Sequence, residues 1–469
     1  FYDYCKCKTQ LPFEKCSHDY MRYDNMRNTG IARHLAIPNP FAYSYLCRFL
    51  SEHWETELIP YFQEKTGTQS FCYSQIHIQK VDTNNSLFHM SLSYSQRDTD
   101  CENYCLTLPI SKKFKVTTDI SNFFPSIYSH ALAWALVGKD VAKSTKGDDS
   151  YWYNQLDQLN INLKYRETNG QLIGPHASNI LSEIIMCAVD KEMQDLGYSY
   201  IRKIDDVCFY AESYEEAESF IRNFTKALKR YDLYINEKKT NITQLPERDE
   251  DWVTQLKSFF VGADYKDDKL IFKKSRLIAF VNLMKRLADE TGNLAVYLYG
   301  MKIVSNTYLG ERAIVYYINE VHQLVLNYTY LAPYLDNFVF ARFAIPVESI
   351  KSIAINLYKL GISAHNYEAC IFALYWSLKF NFTFELTNLI QEAKDSDDCV
   401  FLLLSYLYSK RINNKDWMRN LKEFAKTITD VDRFMLFIYE SLPVTDLPTP
   451  EMKTIKRAQV SFIKSEYRK

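Results

Sequence analysis

The sequence predicts an α+β fold, a mixed strand–helix region in two parts followed by an all-α domain of stacked helical repeats. Three observations support this. The 469 residues exceed what one ordinary core organises, so two or three domains are expected. Strand and helix patterns alternate up to about residue 265. From about residue 275 onward, apolar residues recur at helical period with short breaks only. The expected division is 1–110, 111–265 and 266–469.

In the first part, "IARHLAIPNPFAYSYLCRFL" (31–50) begins as a strand and stops at Pro38 and Pro40. An amphipathic helix follows, with Phe41, Tyr45, Phe49 and Leu50 at helical spacing. In the second part "FKVTTDI" (114–120) reads as a strand. "NILSEIIMCAVDKEM" (179–193) reads as a helix with Ile180, Ile184, Cys187 and Met193 as its stripe. Next comes a hairpin over 200–210, then a helix near 214–231 capped by Ser213. "LYINEKKT" (233–240) and "SFFVGADY" (258–265) are expected as short strands. In the third part Leu277, Phe280, Val281, Met284, Leu287 and Ala288 share one stripe. Further helices are expected over 294–305, 311–328, 349–360, 366–380, 399–410 and 416–427. Without a fixed-period motif, stacked helix pairs remain the natural architecture.

Bulk composition narrows the function. Hydrophobic content of 47% with 24% charged residues describes a soluble globular chain. No run of about 18 uncharged apolar residues exists, so no membrane span is expected. Eleven cysteines without a framework suit a reducing cytoplasm. Cys5, Cys7, Cys16 and His18 could be read as a zinc site, but C-x-C spacing fits the usual knuckles poorly; Cys101 and Cys105 fit them less. The formal charge is 56 − 57 = −1, whereas a protein that grips a long duplex by its phosphates carries a basic excess. Nucleic-acid contact would have to be local, through "KKFK" (112–115) or "KKSR" (273–276), and such runs are usually solvated faces. No secretory signal is visible, and the chain opens on Phe1 rather than Met, which leaves room for preceding sequence.

The hairpin carries the chemical question. "YIRKIDDVCFY" (200–210) sets Asp205 and Asp206 side by side in an apolar, aromatic run. A solvated turn accommodates such a pair. So does a divalent cation, since hard oxygen ligands collect Mg²⁺ or Mn²⁺ and the ion removes the repulsion. A third carboxylate would favour the cation, and "KVTTDISNFFPSIYSHALAWAL" (115–136) supplies Asp119 where a strand gives way to a helix. As a bare residue there, Asp119 also reads as a helix N-cap. Three carboxylates from a strand end and a hairpin tip could hold two Mg²⁺ ions, arranged for in-line attack on a triphosphate.

These stretches resemble the reverse-transcriptase palm. "DISNFFPSIYSH" is similar to that family's motif A, "IGPHASNILSEI" (173–184) to motif B, "IDDV" (204–207) to motif C and "INEKKT" (235–240) to motif D, in the required order. More narrowly, "RHLAIPNPFAY", "NFFPSIYSHALAW" and "GKDVAK" (138–143) resemble the bacterial abortive-infection polymerases of the AbiK type and their prophage-encoded relatives. The resemblance spans about 31 to 263, and it implies a right-hand-like fingers and palm followed by a HEAT-like C-terminal domain. It implies that Asp119 and Asp205 are the principal metal ligands, with Asp206 in support. Phe124 would exclude a ribose 2′-hydroxyl, and Ser178 would lie near the incoming nucleotide. Lys239 would protonate pyrophosphate, and Arg33 would meet the triphosphate. As bare residues, Phe124 could be core, like Phe123, and Lys239 a solvated lysine.

Two departures touch the surfaces that hold primer and template: Lys203 replaces the aromatic two residues before Asp205, and "LIGPHAS" lacks the usual Gln-Gly. The family implies synthesis from dNTPs without a template, begun on a tyrosine of the protein. It also implies a single-stranded DNA product attached to that tyrosine, a homo-oligomer, and a role in phage defence. The priming tyrosine is not identified by the sequence; Tyr2, Tyr4, Tyr20 and Tyr23 are candidates. A templated enzyme, and an inactive palm used as a scaffold, are the alternatives.

Overall fold

The computed structural model describes residues 1–66, 73–74, 107–246, 252–260, 265–266 and 269–468. Cys101, Cys105 and residues 261–264 lie outside them; of the strand expected over 258–265, Ser258 instead ends the helix Trp252–Ser258, 259–260 form a turn, and only Tyr265 lies in a strand. Two compact units emerge. One joins Phe13–Tyr20 to Ala36–Glu247; the other joins Phe1–Pro12 and Met21–Leu35 to Arg248–Lys469. Strands β1 (Tyr20–Met26) and β2 (Ala32–Pro38) pair as a ribbon in the segment where the chain passes between them. Among the described residues no helix is long and apolar enough to cross a membrane.

The first unit is built on a five-stranded sheet. Its strands are β3 (Tyr73–Ser74), β4 (Phe114–Asp119), β5 (Tyr200–Lys203), β6 (Asp206–Ala211) and β7 (Asn241–Gln244), in the order β3-β5-β6-β4-β7. Strand alternation sorts the faces. Val116, Val207, Phe209, Ala211 and Tyr200 point inward and are buried, whereas Lys115, Thr117, Cys208, Tyr210, Ile201 and Lys203 stand on the opposite face. Two helices cover the inner face. The helix His176–Asp195 buries Leu181, Ile184, Ile185, Val189 and Met193. The helix Tyr214–Lys229 buries Phe220 and Phe224, and the Phe209 and Phe220 rings stack at 4.2 Å. Ser213 caps the second helix as expected, accepting from the Glu216 amide at 3.2 Å. The helix expected after Pro40 runs Pro40–Glu52, with Asn39 as its cap at 3.0 Å from the Phe41 amide.

One glycine is demanded here. Gly170 has φ +80°, and a Cβ there would lie 2.8 Å from the Pro125 carbonyl oxygen. That close approach lets Gln171 donate to the Phe124 carbonyl at 2.7 Å, pinning the short helix Phe123–Ser126.

Among the described residues the second unit is mainly helical; besides most of the β1–β2 ribbon it holds the three-stranded sheet β10-β9-β8, whose members are β8 (Tyr265–Lys266), β9 (Lys269–Phe272) and β10 (Thr307–Leu309). The stripe from Leu277 to Ala288 is buried on the helix Lys274–Thr291. Helices follow at Ala295–Val304, Glu311–Asn327, Val347–Ser363, Tyr367–Phe380, Cys399–Arg411 and Lys415–Thr427, within a few residues of expectation. Tyr367–Phe380 and Cys399–Arg411 bury residues all round, the property of helices inside a stack. β1 is anchored to this unit. The buried Glu368 carboxylate accepts from Tyr23 Oη at 2.9 Å, Asn25 Nδ2 at 2.8 Å and the Met26 amide at 2.7 Å.

Candidate active site

Antiparallel register sets Asp119, the last residue of β4, directly opposite Asp206, the first of β6. Lys203 and Asp206 close the β5–β6 hairpin, leaving Ile204 and Asp205 as a two-residue turn. Asp205 is therefore on the tip, and Asp206 stands one position inside the ladder. The Asp205 carbonyl accepts from the Ile120 amide at 3.3 Å, which draws the turn to the end of β4.

The segment expected as a strand over 233–240 is different. Ile235 makes only an isolated bridge to Ile120, Glu237–Lys239 is a 3₁₀ turn, and β7 starts at Asn241. "NEKK" lacks β-branched and aromatic residues, and the backbone bonds elsewhere: the Asn236 amide donates to the Asp119 carbonyl at 2.6 Å, and the Ser121 amide to the Tyr234 carbonyl at 2.8 Å. The turn aims Lys239 at the site, where Nζ donates to Asp119 Oδ2. The Thr118 and Thr240 hydroxyls, 2.7 Å apart, tie the same turn to β4. Asp119, Asp206 and Lys239 then line a cleft of about 510 Å³ with Lys115, Thr117 and Lys203.

The electrostatics are those of clustered, partly buried carboxylates. Burial, then the charges of Asp119 and Asp206, push the Asp205 carboxyl up to about 6, although its own backbone amide opposes the shift. Burial, followed by the Asp119 charge, also raises Asp206. Lys239 is held protonated above its ordinary range, mainly by its hydrogen bond to Asp119. Lys239, joined at Asp206 by Lys203, offsets the repulsion among these acids only in part. A hard divalent cation with oxygen ligands fits this donor set and would remove the strain between them.

The helix His176–Asp195 carries a second group with metal-ligating side chains, Glu183, Cys187 and Asp190, all buried. It does not suit an ion, because a guanidinium occupies it. Arg202, fully buried on β5, donates to Asp190 at 2.6 Å and to Glu183 at 2.8 Å. Sequence reading missed this network. Its signal was strand alternation, which puts Arg202 on the same inward face as Tyr200 and so demands buried acidic partners.

The remaining sequence candidates are distributed. Phe124 is half-buried and packs at 5.3 Å on the buried Phe123. Ser178 is buried in the first turn of its helix, its amide bonded to the Pro175 carbonyl at 3.1 Å. Arg33 is exposed on β2 and belongs to the helical unit. Of the four tyrosine candidates, Tyr23 is engaged by Glu368, and its hydroxyl is held well above its ordinary range by burial and that carboxylate; Tyr2 is exposed. Cys16 Sγ lies 3.1 Å from His18 Nε2, while Cys5 and Cys7 fall in the other unit.

No protein-family model matches the chain, and no curated protein matches it. Among solved structures, the chain is similar to apo telomerase from Candida tropicalis truncated from the C-terminal domain, at 12% identity, covering 53% of this chain and 54% of that one, with TM-score 0.31. It is also similar to Candida albicans telomerase in complex with the TWJ fragment of telomeric RNA, at 11% identity over 99% of this chain and 70% of that one, with TM-score 0.31. A further apo telomerase from Candida tropicalis matches at 11% identity over 81% and 70%, with TM-score 0.32. The chain thus spans about half the length of the first of these. TM-scores of this size do not establish a shared fold.

Proposed function

We propose that the chain is a nucleotidyltransferase of the reverse-transcriptase type that makes DNA from dNTPs without a template, begun on a tyrosine hydroxyl of the protein itself, and that it serves in phage defence. The observation that carries the enzymatic part is the pairing of Asp119 with Asp206 beside the Asp205 turn, with Lys239 hydrogen-bonded to Asp119. Asp119, Asp205 and Asp206 would hold Mg²⁺, or Mn²⁺ in its place. When bound, such ions lower the pKa of an attacking hydroxyl and neutralise a leaving pyrophosphate.

The chain's own residues have defined tasks in this reading. The carboxylates orient the cations and stay ionised. The tyrosine hydroxyl loses its proton to water, its oxygen forms a bond to the α-phosphorus of a dNTP, and the bond to the pyrophosphate oxygen breaks. The Lys239 ammonium gives its proton to the departing pyrophosphate. Phe124 excludes the 2′-hydroxyl of ribonucleotides, and Arg33 and Ser178 are assigned to the triphosphate and the incoming nucleotide by resemblance alone. Product strands would be single and attached to the protein, and a homo-oligomer in the cytoplasm is the expected setting. Lys203 beside Asp206, where templated enzymes carry an aromatic, supports synthesis without a template.

Nuclease-treated protein given only Mg²⁺ and dNTPs should become heavier by a heterogeneous ladder that survives boiling in detergent, because a phosphodiester to a phenol survives and bound nucleic acid does not. Product that forms only with added primer–template, none of it attached to protein, would establish the templated alternative. Absence of incorporation under every condition would leave the scaffold reading.

A further inference from the structure

The turn that presents Asp205 is strained. Ile204 has φ +59°, and Asp205 is not among the residues with positive φ. A two-residue hairpin turn with positive φ at its first position takes Gly there. A β-branched residue at that position is an outlier that persists only when its surroundings hold it.

One side chain does so. A guanidinium has five N–H donors, and all five of Arg202 are engaged. Nε donates to Asp190 Oδ1 at 3.1 Å and Oδ2 at 3.2 Å. Nη2 donates to Asp190 Oδ2 at 2.6 Å and Glu183 Oε1 at 2.8 Å. Nη1 donates to Glu183 Oε2 at 3.1 Å, and its other hydrogen goes to the Ile204 carbonyl at 2.9 Å. Tyr200 donates to Asp190 Oδ1 at 2.5 Å, which fixes that carboxylate in turn. The acids sit two turns apart on the helix His176–Asp195, so the guanidinium is anchored on two sides and has one direction left, toward the turn.

We infer that Arg202 is a positioning residue: clamped to that helix by Glu183 and Asp190, it holds the Ile204 carbonyl and thereby keeps the strained turn that sets Asp205 beside Asp119. The helix and the carboxylate site are thus coupled through one buried side chain. A lysine cannot replace it, since a point charge lacks the fork that reaches both acids and the carbonyl. The metal-binding consequence rests on the reading of Asp119, Asp205 and Asp206 given above; the clamp on the turn does not.

Two measurements on Arg202→Lys separate these parts. Hydrogen exchange followed by mass spectrometry should show peptides across 200–210 exchanging at least several-fold faster, with Tyr214–Lys229 unchanged. Electron paramagnetic resonance of free Mn²⁺ should show affinity lowered by about 10–100-fold, the usual effect of removing a group that orients a ligand. Circular dichroism confirms that the variant is folded. Should it not fold, Glu183→Gln removes one anchor while keeping shape, and the same faster exchange is expected. A folded variant of either kind with wild-type exchange across 200–210 overturns the inference. Wild-type protein without Mn²⁺ affinity overturns the metal reading instead, and exchange then decides Arg202 alone.

Discussion

At the scale of single residues, Asp205 makes the sharpest statement about the site. A carboxyl raised by burial is protonated more readily in the folded chain than in the unfolded one. Without divalent cations, its effect on stability is therefore neutral below the unfolded value near 4. Stability declines as pH rises from about 4 to about 6 and stays lowered above that. Asp205→Asn should accordingly stabilise the metal-free protein at pH 7.5, by about 1 kcal/mol once partial exposure is discounted. The gain should vanish at pH 4. Melts in EDTA at both pH values test this, and a variant less stable than wild type at pH 7.5 would refute it. The same variant, like Asp119→Asn, should lose nucleotide incorporation to background. In the proposed function Phe124 has a role in sugar selectivity: Phe124→Ala should admit ribonucleotides with little loss of dNTP use, as read from incorporation of each. A wild type already indifferent to the sugar would remove that role. Asp119, Asp205, Asp206 and Lys239 were readable from the sequence because strand ends, hairpin tips and motif order constrain them. Arg202 was not, because an arginine in a short strand reads as solvated until its inward face is known.

At the scale of elements, helices such as Lys274–Thr291 were legible because they carry a stripe of period 3.6, Tyr367–Phe380 and Cys399–Arg411 because they are apolar runs of helical length, and the β5–β6 hairpin because aromatic and β-branched residues flank its turn. The stretch 233–240 was misread for a physical reason. Two apolar residues start it like a strand, yet its backbone is spent on Asp119 and Ser121, so the ladder resumes only at Asn241. The anchoring of β1 to the C-terminal helices was likewise invisible, since it joins Tyr23, Asn25 and Met26 to a residue more than 340 positions away. Glu368 is 4% exposed and satisfies three donors. Glu368→Ala would leave those half-buried donors without their acceptor, at up to about 1–3 kcal/mol for each unsatisfied group before water and relaxation offset it. A net loss of about 2–4 kcal/mol in urea denaturation is expected, with faster hydrogen exchange across 20–26. A change below about 0.5 kcal/mol, the size of an ordinary surface substitution, would show that the ribbon is held by other contacts.

At the scale of the whole molecule, charge separates the two ways in which the proposed site could be used. An enzyme that copies a template must hold a duplex several base pairs long, and each neutralised phosphate steepens the salt dependence of binding by roughly 0.9 in log–log slope. A chain with 56 basic and 57 acidic residues has no overall excess to spend on that grip. Among the described residues the lysines near the site are few: Lys115, Lys203 and Lys239 line the cleft, and Lys112 is paired with Glu212 at 2.8 Å. Local contacts of this number neutralise about three phosphates at most, so the slope for a primer–template duplex should be no steeper than about −3. Duplex affinity should also be near the weak, non-specific range of about 10⁻⁴–10⁻⁶ M at physiological salt. Fluorescence anisotropy of a labelled primer–template, titrated from low to physiological salt, measures both quantities. Added duplex should then neither stimulate nor compete with dNTP incorporation. A slope of about −6 or steeper with nanomolar affinity would mean a phosphate track that the cleft lysines cannot supply. Templated copying would then be the function of this site.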